Sequence, residues 1–245
     1  MQMGSLLQYI CKNLPVDKVL NKYEEGQVLL IDKPLDWTSF DVVRKTRNLI
    51  RIKKVGHAGT LDPLASGLLI VCTGKFTKKI NEYMGMEKEY TGSFTLGAIT
   101  PTYDLESEPT EIRDYATITE EQIQEATKAF TGTIQQVPPI HSAIKKDGKP
   151  VYLMARKGIE FELEPRTITI KEFRIEKIEL PKVYFKVVCT TGTYIRSLAH
   201  DFGKQLGCGA YLSSLRRTRI GEFSVDTALS MDQLTEQILQ DKNAG

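Results

Sequence analysis

Asp62 is the residue of this sequence best placed to do chemistry. It lies in Gly56-His57-Ala58-Gly59-Thr60-Leu61-Asp62-Pro63, where small side chains leave room for a substrate and Pro63 fixes the direction of the chain. An ordinary aspartate has a pKa of about 3.9, so its carboxylate is ionised at neutral pH. Read on the local sequence alone, the same residue favours an Asx-turn or a cap for the segment that follows. Basic residues gather in three places: Lys33 to Lys54, Lys145-Lys146 through Arg156-Lys157, and Arg216-Arg217 with Arg219. Each alone reads as a solvated face, but in a chain with a formal charge of only +2 three such clusters point to a surface that meets nucleic acid.

Other chemistries lack their signatures. His57, His141 and His200 are far apart and the four cysteines form no CxxC pair, so no metal site is expected. Gly74-Lys75 is followed by Phe76 where a phosphate-binding loop needs Ser or Thr, and Gly207-Cys208-Gly209 lacks a third glycine. An aspartyl-phosphate hydrolase fails too, because Asp32-Lys33-Pro34 has no second carboxylate at the spacing a Mg²⁺ site needs. No cofactor is expected.

The elements that must position Asp62 follow from the pattern around it. With 245 residues, 41% apolar and 26% charged, the chain can fold without a disulfide or metal. No apolar run approaches the ~20 residues of a membrane span, and no signal peptide is recognisable, so a cytoplasmic protein is expected. Val28 to Ile31 reads as a strand, and Ser39 as the N-cap of a helix carrying Val42, Val43, Thr46, Leu49 and Ile50. Val55 to Pro63 reads as a loop, followed by a strand from Gly67 to Thr73, a helix around Phe76 to Met84 and a strand from Lys88 to Gly97. Thr119 and Gln122 form a capping box for a helix through Phe130. A short helix is expected near Val151 to Lys157, and Arg166 to Leu180 with Val183 to Thr190 as an antiparallel pair turning at Pro181. A helix from Tyr194 to Leu206, a strand from Ala210 to Phe223 and a helix from Met231 to Gln240 complete the chain. Strict strand–helix alternation is absent, which argues for an α+β fold with a mixed, largely antiparallel sheet flanked by helices and loops.

The segment Gly56 to Gly67 (GHAGTLDPLASG) resembles the catalytic motif of the TruB family of tRNA pseudouridine synthases. Further matches fall in the right order: Leu30-Ile31-Asp32-Lys33-Pro34, Lys88-Glu89-Tyr90, Gln136-Val137-Pro138-Pro139 with Ser142-Ala143, and Gly192-Thr193-Tyr194-Ile195-Arg196-Ser197-Leu198. The similarity spans about residues 26 to 225 and implies the pseudouridine synthase fold. It makes Asp62 the essential aspartate, which cleaves the uridine glycosidic bond so that the base rejoins through carbon. Arg196 becomes the cation beside that carboxylate; early in a helix it needs a compensating anion, because the helix dipole opposes a cation there. Tyr90 becomes the aromatic that stacks on the target base and helps remove the C5 proton, and His57 helps flip the nucleotide from its stack.

Lys33 either neutralises a phosphate or braces the catalytic loop, and Tyr194 packs beneath the nucleotide. Lys145, Lys146, Arg216 and Arg217 bind phosphates of a folded RNA, the T stem-loop of tRNA. A monomer acting without membrane, metal or cofactor is implied, with uridine 55 as its target. The other functional class left open is an RNA-binding or tRNA-folding protein with secondary or lost catalysis. The sequence departs from many relatives at His141 and in Thr102 to Ser107, which lacks a glycine after Asp104. Residues 1–25 are expected to form an N-terminal segment outside the resemblance, and 26–245 a catalytic domain with no room expected for a C-terminal PUA domain.

Overall fold

The computed structural model describes residues 22–140, 142, 145–146, 149–150 and 163–243. The principal strands are β1 (Val28–Lys33), β2 (Val55–Ala58), β3 (Ala65–Thr73), β4 (Lys88–Leu96), β5 (Gly132–Gln136), β6 (Arg166–Glu179), β7 (Lys182–Cys189) and β8 (Ala210–Ile220). The principal helices among the described residues are α1 (Ser39–Ile50), α2 (Ile80–Gly85), α3 (Glu120–Ala126), α4 (Ile195–Gln205) and α5 (Met231–Asn243). The fold is α+β, as the pattern predicts. The chain divides into two compact units: one comprises the described residues up to Pro63, Leu69–Met84 and Thr227 onward, the other Leu64–Leu68 and Gly85–Asp226.

In the first unit β1 neighbours β3, and β2 pairs with it antiparallel, His57 opposite Val71. Helix α1 buries Val42, Val43, Thr46 and Ile50, the face that its apolar spacing marks out. These side chains join Ile31, Val55, Leu69 and Val71 and, from α5, Leu234 and Ile238 in one core. Thr38, not Ser39, caps α1: its hydroxyl accepts from the Asp41 N–H while the Asp41 carboxylate accepts from the Thr38 N–H, each at 3.0 Å. Ser39 is thereby left for another task. The segment expected to be all loop begins as β2, so the true loop is only Gly59 to Leu64. The helix expected from Phe76 is a 3₁₀ turn over Gly74–Lys79 before α2 begins.

In the second unit β4, β7, β6 and β5 follow one another as antiparallel neighbours, and β8 pairs antiparallel with the other edge of β4. The β6–β7 hairpin turns at Leu180-Pro181, where the sequence places it. The first residues of β3 pair with β8 in parallel, Gly67 opposite Arg217, which makes the sheet mixed. Gly67 has φ +102°, and a Cβ there would sit 2.3 Å from the Arg217 carbonyl oxygen, so this close approach needs glycine. Phe94 stacks on Phe185 with ring centroids 4.2 Å apart, and Phe173 and Phe202 close around them. Cys72, Cys189 and Cys208 are buried free thiols. Among the described residues no helix is long and apolar enough to cross a membrane. His141 and the helix expected near Val151 to Lys157 lie outside the described residues.

Candidate active site

Asp62 is half-buried in the short loop between β2 and β3, and the residues on either side of it are pinned. The buried Ser39 hydroxyl closes on both backbone groups of Leu61: the Leu61 N–H donates to Oγ at 2.8 Å, and Oγ donates to the Leu61 carbonyl at 3.1 Å. On the other side, the Pro63 carbonyl accepts from the Asp36 N–H at 3.0 Å and from Lys33 Nζ at 3.4 Å. Lys33 is fully buried, and Nζ also donates to the carbonyls of Pro34 at 2.8 Å and Trp37 at 2.5 Å. Of the two roles open to it in the sequence, this geometry fits the brace and not a phosphate contact. His57 sits half-buried on β2, five residues before Asp62.

In the second unit Tyr90 lies on β4 between Val187 of β7 and Arg217 of β8 and is 9% exposed. Arg196 is the second residue of α4 and is buried. Its Nε stands 3.6 Å from Asp104 Oδ2, and its Nη1 donates to the Thr102 carbonyl at 3.5 Å. Asp104 is itself buried, and its Oδ1 accepts from the Glu106 N–H at 3.0 Å. Asp104 thus supplies an anion of the kind that the helix dipole requires. The sequence marks Thr102 to Ser107 only as a departure and points to no role for Asp104, because a carboxylate inside an acidic loop carries no local mark of burial.

The start of α4 is held as tightly as the Asp62 loop. Tyr194 is the N-cap, and the buried Gln136 carboxamide grips it twice: the Tyr194 N–H donates to Oε1 at 2.8 Å, and Nε2 donates to the Tyr194 carbonyl at 3.1 Å. Ser197 Oγ adds a bond to the Val137 carbonyl at 2.7 Å. The motif Gln136-Val137 therefore orients the helix that carries Arg196, a role its sequence does not announce.

One basic residue changes its reading and another, Lys88, proves to be buried. Arg217, expected on phosphate, is 1% exposed, and its Nε donates to the Leu68 carbonyl at 2.7 Å, so it is a core cation. Lys88 is also buried; Nζ donates to the Met86 carbonyl at 2.6 Å, and burial, with Arg217 nearby, pushes its pKa down to about 8. Arg216 is half-buried and reaches Ser66 Oγ at 3.4 Å. Lys145 and Lys146 form a two-residue strand paired with Lys149 and Pro150, and their side chains lie outside the described set.

Residues 47–195 match the model of the TruB family pseudouridylate synthase N-terminal domain, and residues 196–244 that of the tRNA pseudouridylate synthase B C-terminal domain. The chain belongs to the TruB family. It is 54% identical over 224 residues to tRNA pseudouridine synthase B of Flavobacterium johnsoniae, covering 89% of this chain and 98% of that protein. The protein of the same name from Parabacteroides distasonis is 48% identical over 221 residues, covering 88% and 94%. Among solved structures it resembles a chain of a Cbf5-Nop10-Gar1 complex at TM-score 0.71 and one of an H/ACA RNP bound to a substrate RNA at 0.69, each 29% identical. Those matches cover 94% and 92% of this chain, which spans only 63% and 57% of the length of the two. As a TruB-family pseudouridylate synthase the chain is an isomerase, with Asp62, Tyr90 and His57 all inside the matched N-terminal region and Arg196 opening the C-terminal one.

Proposed function

We propose that this TruB-family chain converts uridine 55 in the T stem-loop of tRNA to pseudouridine, with Asp62 as the essential group. The observation that carries the proposal is the Asp62 loop: a half-buried aspartate whose two chain neighbours are fixed by Ser39 and Lys33. The reaction is an isomerisation. The N1–C1′ bond of the uridine breaks, C5 bonds to C1′, the C5 proton leaves and N1 gains one, so nothing is consumed and no cofactor is called for. An ionised carboxylate serves each route to the detached base, whether it attacks the ring, attacks the sugar or drives elimination to a glycal. Arg196 favours that ionised form, Tyr90 stacks on the base and assists loss of the C5 proton, and His57 supports the flipped nucleotide. Tyr194 lies beneath the nucleotide, while Arg216 and the Lys145-Lys146 strand contribute positive charge toward RNA phosphates. A tRNA substrate carries with it a cytoplasmic protein, working as a monomer on one stem-loop.

The test is tritium release from a T stem-loop RNA labelled at uridine C5, with wild type and Asp62→Asn side by side. Release by wild type alone, with RNA affinity retained in the variant, is expected. Turnover by Asp62→Asn removes Asp62 from the chemistry, and tight binding without release by either protein replaces the isomerase with a tRNA-folding protein.

A further inference from the structure

A second feature of the first unit has no part in the chemistry above. A cleft of about 320 Å³ opens beside the segment that leads into α1, lined by Asp36, Trp37, Asp41, Arg44, Lys45 and Asn48. The last four recur at helical spacing on the polar face of α1, opposite the buried Val42, Val43, Thr46 and Ile50. Trp37, the sole tryptophan of the chain, is half-buried and leans on the core below. Its carbonyl accepts from Lys33 Nζ, the ammonium that also holds Pro63, so the aromatic wall of the cleft and the Asp62 loop share one anchor.

The charges of the cleft are unevenly spent. Asp41 accepts from the Thr38 hydroxyl and N–H, bonds that hold its carboxyl below the usual range, and at 2.6 Å from Arg44, whose charge lowers it further by a smaller amount. Arg44 is 64% exposed and uses one of its five donors there. Lys45 and Asn48 are exposed, and among the described residues their side chains have no hydrogen-bond or ion-pair partner. Asp36 is held in a left-handed turn with φ +62° while its N–H is fixed on Pro63, leaving its carboxylate at the rim.

An indole face, two cations, a carboxamide and a rim carboxylate together match an unpaired ribonucleotide. The indole offers a stacking surface, Lys45 and Arg44 a phosphate contact, Asn48 bonds to a base edge, and Asp36 an acceptor for a ribose 2′-hydroxyl or an exocyclic amine. We infer that this cleft is a second nucleotide subsite, which takes an unpaired residue of the substrate RNA other than the isomerised uridine. The inference rests on the tRNA reading above. Through Lys33, occupancy of the cleft bears on the same backbone that positions Asp62, so binding there adds substrate specificity next to the reacting loop.

Trp37 makes the test direct, since all indole emission reports on this site. T stem-loop RNA is titrated into wild type with emission and filter binding measured in parallel, and tritium release is run on the same samples. Emission is expected to be quenched with the midpoint that filter binding gives. Trp37→Leu should bind about tenfold more weakly, the loss of one stacked base. Lys45→Gln, an exposed change that leaves the fold intact, should weaken binding several-fold and lower the slope of log K against log salt by about one. RNA binding and tritium release with unchanged emission, or with Lys45→Gln indistinguishable from wild type, overturn the subsite and leave the isomerase standing. Absence of both RNA binding and release overturns the functional reading and the subsite with it.

Discussion

Ser39→Ala separates a residue that positions Asp62 from one that merely starts a helix. Read from sequence as an N-cap, Ser39 would lose about 1 kcal/mol on truncation and nothing in catalysis. In the structure Thr38 is the cap, and the 2%-exposed Ser39 hydroxyl instead satisfies both the N–H and the carbonyl of Leu61, itself 4% exposed. Removing the hydroxyl leaves two buried backbone groups without that partner. At about 1–3 kcal/mol for each buried group left unsatisfied, with some relaxation toward water, the expected loss is about 2–4 kcal/mol in urea unfolding. The freed Leu61 also releases its neighbour Asp62, and a displacement of ~1 Å at a reacting group costs about 10²-fold in rate. Single-turnover tritium release at saturating RNA, at a temperature where the variant stays folded, should fall by about that factor while RNA affinity changes little. Thr38→Ala is the control: it should cost about 0.5–2 kcal/mol and leave the rate of the folded protein unchanged. If Ser39→Ala reacts within about twofold of wild type, a bound set by the size of the expected effect, the Leu61 clamp does not position Asp62.

The remaining predictions concern charge. Lys88 keeps its proton to about pH 10.4 when unfolded but loses it near pH 8 in the fold, so between those values the folded protein binds fewer protons and its stability rises with pH. Relative to Lys88→Met, wild type should therefore gain about 2 kcal/mol between pH 7.5 and 9.5 in urea unfolding, and a flat difference contradicts the assignment. Arg217→Ala should cost about 3–5 kcal/mol of stability, because it empties a buried site and orphans the Leu68 carbonyl, so unfolding moves far more than the salt dependence of binding. Lys145→Glu with Lys146→Glu should do the reverse, weakening binding and flattening its salt slope by about two while unfolding is unchanged.

What the sequence made legible divides along physical lines. Elements governed by local rules stand where the pattern puts them: the capping box at Thr119 and Gln122, the turn at Leu180-Pro181, and the buried stripe of α1. Val55 to Ala58 misleads because its glycine and histidine read as loop, while its strand character comes from the antiparallel register with Ile70 to Thr73, a partner that no local window contains. Charged residues are misread for a related reason. Arg216, Arg217 and Arg219 look alike in the sequence, yet Arg217 is buried against Leu68, Arg216 reaches Ser66, and Arg219 pairs with Glu87 at 3.0 Å. Side-chain alternation on β8 separates Arg216 from Arg217, and the register shift between Arg217 and Arg219 breaks that alternation for Arg219.

The two charged residues assigned to catalysis are both placed through the backbone beside them. Ser39 closes on the N–H and carbonyl of Leu61, one residue before Asp62; Gln136 closes on the N–H and carbonyl of Tyr194, two residues before Arg196. Each clamp is a single neutral side chain that satisfies one donor and one acceptor, so it orients the chain without adding charge that would shift the group it serves. Lys33 likewise acts on backbone: its ammonium donates to the carbonyls of Pro34, Trp37 and Pro63. Because Ser39 and Leu61 lie 22 positions apart and Gln136 and Tyr194 58, the clamps exist only once the chain has folded, whereas the acid and the guanidinium they serve stand out by residue type alone.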